Sequence, residues 1–182
     1  MVVVADPQDP ASLLLGSSVA ALATAPLVFE GDAVPASEVQ LHVRGDEDLA
    51  ALLDTLRDLD LGGTPGAGAV DYLAVTAVDA AEGAHTSAAL LAARHRGLVA
   101  PVRGADVQGV QEAIEAAWAA TPLRHVALVG GPDDVPHHEL PDPLFGVGLV
   151  SDAPYAQLDD DPFLDVGLAR APLTHPVDAT HW

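Results

Sequence analysis

Short apolar runs of strand length alternate with longer Ala- and Leu-rich segments along most of this 182-residue chain. The runs "VVVA", "DYLAVTAV", "LVAPV" and "HVALV" have the length and the β-branched content of buried strands. Strands separated by helices require crossover connections, which are right-handed and cover the sheet. The order therefore predicts an α/β fold, a mainly parallel sheet with helices on both faces in a three-layer sandwich.

Two of the segments between the strands have clear helical patterns. In "DEDLAALLDTLRDLD" one face of the helix is apolar and carries Leu49, Leu52, Leu53 and Leu56. Asp46 is the expected N-cap of this helix. The segment "HTSAALLAARHRG" predicts a second helix that is capped near Thr86 and ends at a glycine.

The chain is predicted to form a single α/β domain over residues 1–182, a length that suits one core. Its first βα half is residues 1–61, a Gly-rich linker follows at 62–70, and the second βα half is residues 71–131. Loops rich in Pro and Asp, with the last strands, make up residues 132–182. The two halves share one order of elements, which fits either an internal duplication or two ordinary βα units.

The charge balance excludes one class of partner. The chain has 27 acidic residues against 7 basic ones, giving a net charge of −20, and every basic residue is Arg. Nucleic-acid binding needs a basic footprint, so no nucleic-acid partner is expected. The acidity fits either a solvated coat suited to a high-salt cytoplasm or a cation-binding protein. Because the Asp residues are scattered along the whole chain, the coat is the favoured interpretation.

Membrane insertion and secretion signals are not apparent in the sequence. No apolar run reaches the ~18 residues that a membrane helix needs. The first basic residue is Arg44, whereas signal peptides begin with positive charge. The expected location is cytoplasmic for the chain as it stands, and secreted or on the cell surface if the native N-terminus was trimmed.

The segment "QLDDDPFLD" has the spacing of a calcium-binding loop. Gln157, Asp159, Asp161 and Asp165 occupy positions 1, 3, 5 and 9, where such loops place oxygen ligands. The neutral Gln157, and Pro162 at the position that usually holds Gly, weaken the pattern. A Ca²⁺ site formed by the four residues and a solvated acidic turn both stay open.

Other motifs contain polar residues of the types that bind ligands or catalyse reactions. The turn "GGPDDVP" follows a buried strand, but its two carboxylates would repel a phosphate. His137 and His138 are adjacent, and the favoured interpretation is a pair of exposed loop histidines. A small-molecule enzyme site is an alternative at the carboxyl ends of the strands, where such sites gather. Its candidate residues are Asp79, His85, Gly131 and Asp133, and Ser87 lies near His85.

The segments "RHVALVGGPDDVP" and "SDAPYAQLDDDPFLDVGLARAPLTHP" together resemble the gingipain-type cysteine peptidases of the caspase–hemoglobinase clan. Members carry a strand of the form "yvlLvGd.d.vP" and then "sD.yYadldgDg.pDiavGRlp". The matching residues include Asp152 and Tyr155, and the family's Gly-Arg pair is separated here as Gly167 and Arg170. The resemblance is specific from His125 to Pro176 and corresponds to the first of the family's two caspase-like subdomains.

The resemblance implies a scaffold without its own catalytic residues. The family's catalytic His and Cys follow the matched segment, whereas this chain ends six residues beyond Pro176 and contains no Cys. We therefore expect a non-catalytic gingipain-like subdomain, the structural or substrate-facing half of a peptidase that needs a second chain or a missing C-terminal segment. A stand-alone binding or assembly module of a salt-adapted cell, which could be an oligomer, is the alternative.

The acidic coat leads to a test of salt dependence. Added salt screens the repulsion among surface carboxylates, so the melting temperature should rise between dilute buffer and molar KCl. Differential scanning calorimetry measures this directly, with a protein of similar size and near-zero net charge as the control. A melting temperature that does not depend on KCl would contradict the salt-adapted interpretation.

Overall fold

The structure is a computed structural model that describes residues 1–34, 39–46, 48–59, 70–104, 106–142, 146 and 148–172. Its helices and strands follow one another along the chain, beginning and ending with a strand. Their order is β1 (Val2–Ala5), α1 (Pro10–Ala23), β2 (Leu27–Phe29), β3 (Gln40–Val43), α2 (Leu49–Asp58), β4 (Tyr72–Ala77), α3 (Glu82–His95), β5 (Leu98–Val102), α4 (Val107–Ala120), β6 (His125–Val129), β7 (His138–Pro141), β8 (Gly148–Ser151), a 3₁₀ helix (Ala153–Ala156) and β9 (Gly167–Ala171).

The strands form two parallel sheets and one antiparallel hairpin. The first sheet has the order β2-β1-β3, the second has the order β5-β4-β6-β9, and β7 pairs with β8. Four helices flank the parallel sheets, so the predicted α/β three-layer class is confirmed. The parallel strands are divided between two sheets, whereas the sequence pattern predicted one mainly parallel sheet.

The division of the chain into halves stays a prediction. Most of the proposed linker, residues 62–69, lies outside the described residues. Val70 is described, and it is buried in the core instead of being exposed. Among the described residues, no helix has both the length and the apolar character needed to span a bilayer.

The predicted helices occur, with two changes at their starts. Leu52, Leu53 and Leu56 of α2 are buried, as the apolar stripe predicts. The N-cap of α2 is Asp48 and not Asp46, since the Asp48 carboxylate accepts hydrogen bonds from backbone N–H groups of the first turn. Helix α3 begins at Glu82, so Thr86 lies inside the helix and is not near its cap.

Helix α1 lies between the two sheets and is buried on nearly every side. The Ser12 hydroxyl donates to the carbonyl oxygen of Val43 at the end of edge strand β3, at 2.7 Å. One turn and a half further on, the Ser18 hydroxyl accepts a hydrogen bond from the Val99 N–H of edge strand β5, at 3.1 Å. Because α1 contacts edge strands of both sheets, most of its surface is buried. This explains why its apolar residues surround the helix instead of forming a single stripe.

The Ser18–Val99 hydrogen bond should contribute measurably to stability. In Ser18→Ala the buried Val99 N–H loses its partner, and a loss of about 1–3 kcal/mol in the free energy of unfolding is expected. Ser17→Ala is the matched control, because both hydroxyls donate to a carbonyl oxygen of the helix, Ser17 to Leu14 and Ser18 to Leu15, but Ser17 is only partly buried. Urea unfolding midpoints measure both changes, and equal midpoints for the two variants would contradict the role of Ser18.

Candidate functional site

Arg170 lies one residue before the end of β9, opposite Leu128 of β6. Its guanidinium holds the Asp152 carboxylate with two hydrogen bonds of 2.7 Å, from Nε to Oδ2 and from Nη2 to Oδ1. Nη1 donates to the carbonyl oxygen of Val135 at 2.7 Å. The Arg170 and Asp152 side chains are only 14% and 19% exposed. Such bidentate, charge-assisted bonds are among the stronger hydrogen bonds in proteins.

The turn after β6 brings the Val135 and Pro136 carbonyl groups to Arg170. Gly130 has φ +128°, and a Cβ at this position would lie 2.8 Å from the Asp134 Cβ, so only glycine fits without strain. The Asp134 carboxylate accepts a hydrogen bond from the Gly131 N–H at 2.9 Å and closes the turn. The motif "GGPDDVP" is therefore a backbone-shaping turn.

Tyr155 occupies the 3₁₀ helix, and its side chain is completely buried. Its hydroxyl donates to the Pro136 carbonyl oxygen at 2.8 Å. Burial raises the pKa of Tyr155 to about 12, so the phenol keeps its proton and stays a donor. The His138 ring meets the Tyr155 ring edge-on, with the ring centres 4.3 Å apart.

The two neighbouring histidines have different surroundings. His137 Nδ1 lies 2.7 Å from Asp152 Oδ1, whereas His138 packs on Tyr155. Burial lowers the pKa of His138, and the Asp152 charge opposes this only in part. His138 Nε2 is buried and has no hydrogen-bond partner within the described residues. Both rings are partly buried, so the expectation of two exposed loop histidines was wrong.

Asp152 is the charged centre of this cluster. Burial alone would raise its pKa, but the hydrogen bonds and charges of Arg170 and His137 outweigh burial and hold the pKa below its usual value. Asp152 is therefore a carboxylate at neutral pH. We call Arg170, Asp152, His137 and Tyr155 the Arg170 clamp.

The family model described as peptidase family C25 matches residues 69–182, which is more than half of the chain and includes the whole Arg170 clamp. The chain belongs to peptidase family C25. This is the gingipain family, so the resemblance drawn from the sequence motifs is confirmed. No curated protein and no solved structure matches the chain.

In this C25 domain the clamp joins three separate parts of the chain. It binds the turn that follows β6, the segment that follows the β7–β8 hairpin, and strand β9. Four hydrogen bonds from Arg170 go to protein acceptors, the longest being 3.5 Å to Pro136. The guanidinium is therefore occupied by the fold, which makes it an anchor of the loops at the end of the sheet.

The predicted calcium ligands of the C25 domain lie in a turn closed by its own hydrogen bonds. The carboxylates of Asp159, Asp161 and Asp165 accept from the N–H groups of Asp161, Phe163 and Leu158, at 2.6–2.8 Å. Gln157 donates its amide to the Pro162 carbonyl oxygen at 3.1 Å. Across the part of the chain that the structure describes, no group of three or more His, Asp or Glu side chains is placed to hold a metal ion. The Ca²⁺ site stays a prediction, on which no functional step depends.

The alternative small-molecule site falls on two neighbouring strands. His85 Nε2 lies 2.9 Å from the Ala77 carbonyl oxygen at the end of β4, and Asp79 is exposed beside it. Gly131 and Asp133 follow β6, which pairs with β4. The structure thus brings these residues to one edge of the sheet, and a reaction there stays a prediction. Ser87 is buried and donates to the Gly83 carbonyl oxygen, so it is not available as a nucleophile.

Exposed apolar side chains lie on the two segments next to the clamp. They occur on the β7–β8 hairpin and in the acidic turn before β9, where Phe163 is 73% exposed. Adjacent exposed apolar side chains are typical of contact surfaces, and Leu140 and Leu149 lie directly opposite each other in the hairpin. The set comprises Leu140, Leu149, Val150, Phe163 and Leu164.

The Asp152 charge gives the C25 domain a defined pH dependence. Its folded-state pKa is lowered, so its stabilisation is fully present above the unfolded value of ~4 and is lost as pH falls through the folded value. Asp152→Asn should cost about 1–3 kcal/mol of unfolding free energy at pH 7, and this cost should shrink toward pH 3.

Urea unfolding of wild type and variant across this pH range measures the difference. Asp133→Asn is the matched control, because Asp133 is exposed in the same loop region. A cost of Asp152→Asn that stays constant with pH would contradict the role assigned to the carboxylate charge.

Proposed function

We propose that this C25 domain is the non-catalytic, supporting half of a gingipain-like cysteine peptidase. A second segment or chain would supply the catalytic cysteine and its histidine base. One observation carries the proposal: the chain forms the C25 scaffold, with the Arg170 clamp at the end of its second sheet, yet it contains no cysteine. A cysteine peptidase acts through a thiolate, which this chain cannot provide.

The clamp supports a structural contribution over direct substrate binding. Its hydrogen bonds hold Arg170 against Asp152 and two backbone carbonyl groups, which leaves little of the guanidinium for a ligand. Tyr155 is buried and bound to Pro136. The clamp thereby fixes the positions of the loops at the end of the second sheet, which a catalytic partner could contact.

The β7–β8 hairpin supports contact with a partner. Each strand has four residues, and a two-stranded hairpin of this size is marginal in water without further packing. Its base is held by His138 against Tyr155, while Leu140 and Leu149, which lie opposite each other on one face of the hairpin, remain exposed. A catalytic half with an apolar patch would bury these two side chains and stabilise the hairpin.

Reconstitution of activity tests the proposal. We expect no peptide hydrolysis by the purified chain, and hydrolysis after mixing with the cysteine-bearing chain or segment that co-purifies from the native source. Iodoacetamide should abolish this activity, because it alkylates the thiolate. Hydrolysis by the pure chain that resists alkylation would overturn the proposal, as would full activity of the cysteine-bearing chain alone.

A pair of matched variants tests the contact surface. Leu149→Asp should weaken the complex at least ~10-fold, because a charge would be placed in an apolar contact. Leu90→Asp is the control, since Leu90 is 47% exposed on α3 and Leu149 is 51% exposed on the hairpin. Surface plasmon resonance against the cysteine-bearing chain compares them, and equal affinities would place the contact elsewhere.

The exposed hairpin also fits the alternative of a self-assembling module. In that case the chain would form oligomers without any second protein, and Leu149→Asp would dissociate them. Sedimentation velocity of the chain alone distinguishes the two candidates. A stable homo-oligomer that Leu149→Asp disrupts would favour the assembly module over the peptidase half.

A further inference from the structure

A cavity of about 330 Å³ lies at the carboxyl ends of β3 and β5, between the first sheet and the second. Its walls come from α1, α2, β5 and α4. Most of the lining is apolar, and one cationic and one anionic side chain complete it. The lining includes the apolar residues Leu15, Leu49, Val102 and Ala113 and the charged residues Arg103 and Glu112.

The cavity crosses the boundary of the family match. Leu15 and Leu49 lie before residue 69, whereas Val102, Ala113 and both charged residues lie within the C25 match. Crevices at the carboxyl ends of parallel strands, and at seams between structural units, are preferred places for small ligands. The volume is near the lower end of the ~300–1,000 Å³ usual for such sites.

Both charged residues keep free bonding capacity. Arg103 donates from Nη2 to the two oxygens of Asp9 at 3.0 Å, and its Nε and Nη1 have no hydrogen-bond partner within the described residues. Glu112 accepts one hydrogen bond, from Gln108, at Oε1. A guanidinium and a carboxylate with open positions therefore border the same apolar space.

The neighbouring acidic residues are already engaged. Asp9, Asp48 and Asp106 cap α1, α2 and α4, and each accepts from backbone N–H groups of its own helix. They offset the positive helix ends, so these ends do not turn the cavity into an anion site. The net charge of −20 also disfavours an anionic ligand, whereas a ligand with no net charge is not repelled.

We propose that this cavity binds an apolar zwitterion, an amino acid or short peptide with both ends free. The ligand's carboxylate would bind Arg103, its ammonium group would bind Glu112, and its apolar body would lie against Leu15, Leu49 and Val102. The volume limits the ligand to about one or two residues. This inference does not depend on the proposed peptidase role, because no clamp residue lines the cavity.

Calorimetric titration of the full chain with four ligands tests the chemistry. Leu-Leu with free ends should bind with a Kd in the micromolar to low millimolar range. N-acetyl-Leu-Leu, which lacks the ammonium, and Leu-Leu-amide, which lacks the carboxylate, should each bind at least ~10-fold more weakly. Leucine is the fourth ligand, and its affinity relative to Leu-Leu distinguishes a free amino acid from a peptide.

Charge variants assign the two ends of the ligand. Arg103→Gln should weaken Leu-Leu about 10-fold and remove the preference for Leu-Leu over its amide. Glu112→Gln should also weaken Leu-Leu about 10-fold, and it should remove the preference for Leu-Leu over N-acetyl-Leu-Leu. Arg57→Gln is the control for Arg103→Gln, because Arg57 pairs with Asp54 on the surface as Arg103 pairs with Asp9. Glu115→Gln is the control for Glu112→Gln, because each glutamate accepts a hydrogen bond from the glutamine four residues before it.

The outcomes decide the proposal in either direction. Binding that depends on both free ends, on Arg103 and on Glu112 supports it. No heat of binding at ~10 mM Leu-Leu by folded wild type, or equal losses in Glu112→Gln and Glu115→Gln, would overturn it. Circular dichroism checks that each variant is folded. Ala113→Leu fills the cavity from α4 and should abolish binding. Ala119→Leu is its control, because Ala119 is exposed on the same helix, and it should leave binding unchanged.

Discussion

The bidentate contact between Arg170 and Asp152 fixes the carboxyl end of the second sheet. A partly buried ion pair of this kind gains stability only when its geometry is good and its remaining donors are satisfied. Both conditions hold here, because Nη1 reaches the Val135 carbonyl oxygen and His137 Nδ1 lies 2.7 Å from Asp152 Oδ1, the oxygen that Arg170 Nη2 also binds. Removal of either charge would leave the other desolvated and without its partner. The loops between β6 and β9 therefore have one favoured arrangement.

The N-terminal unit is attached to the C25 part by a different kind of contact. Helix α1 satisfies backbone groups on the edges of both sheets through two buried serine hydroxyls, Ser12 and Ser18. Edge strands carry unpaired backbone groups that would otherwise favour pairing with another chain. A buried helix that meets one edge of each sheet lowers that hazard at β3 and β5, and it joins the two small sheets around shared apolar side chains such as Val19.

The helices and strands were predictable, because each follows from a hydrophobic pattern within a short stretch of sequence. The Arg170 clamp was not predictable, because its residues are far apart in the chain. Periods of two and 3.6 residues identify strands and helices within short windows, and the buried stripe of α2 follows from them. His137 carries no such local signal. Its burial depends on Asp152 and on Arg170, 33 positions later in the chain, which reaches the site only after the hairpin and the acidic turn. The family motif contained Asp152, Tyr155 and Arg170, but not the contacts among them.

A charged clamp in a chain without a thiolate has a physical rationale. Apolar residues of similar volume often stabilise a fold as well as a buried ion pair does, so stability alone is a weak reason for the clamp. Directional bonds do what apolar packing cannot: by holding Asp152 on Arg170 they fix the end of the hairpin, and hence the position of its exposed Leu149. We infer that the clamp fixes the position of this exposed surface, which under the proposed function a catalytic partner would contact.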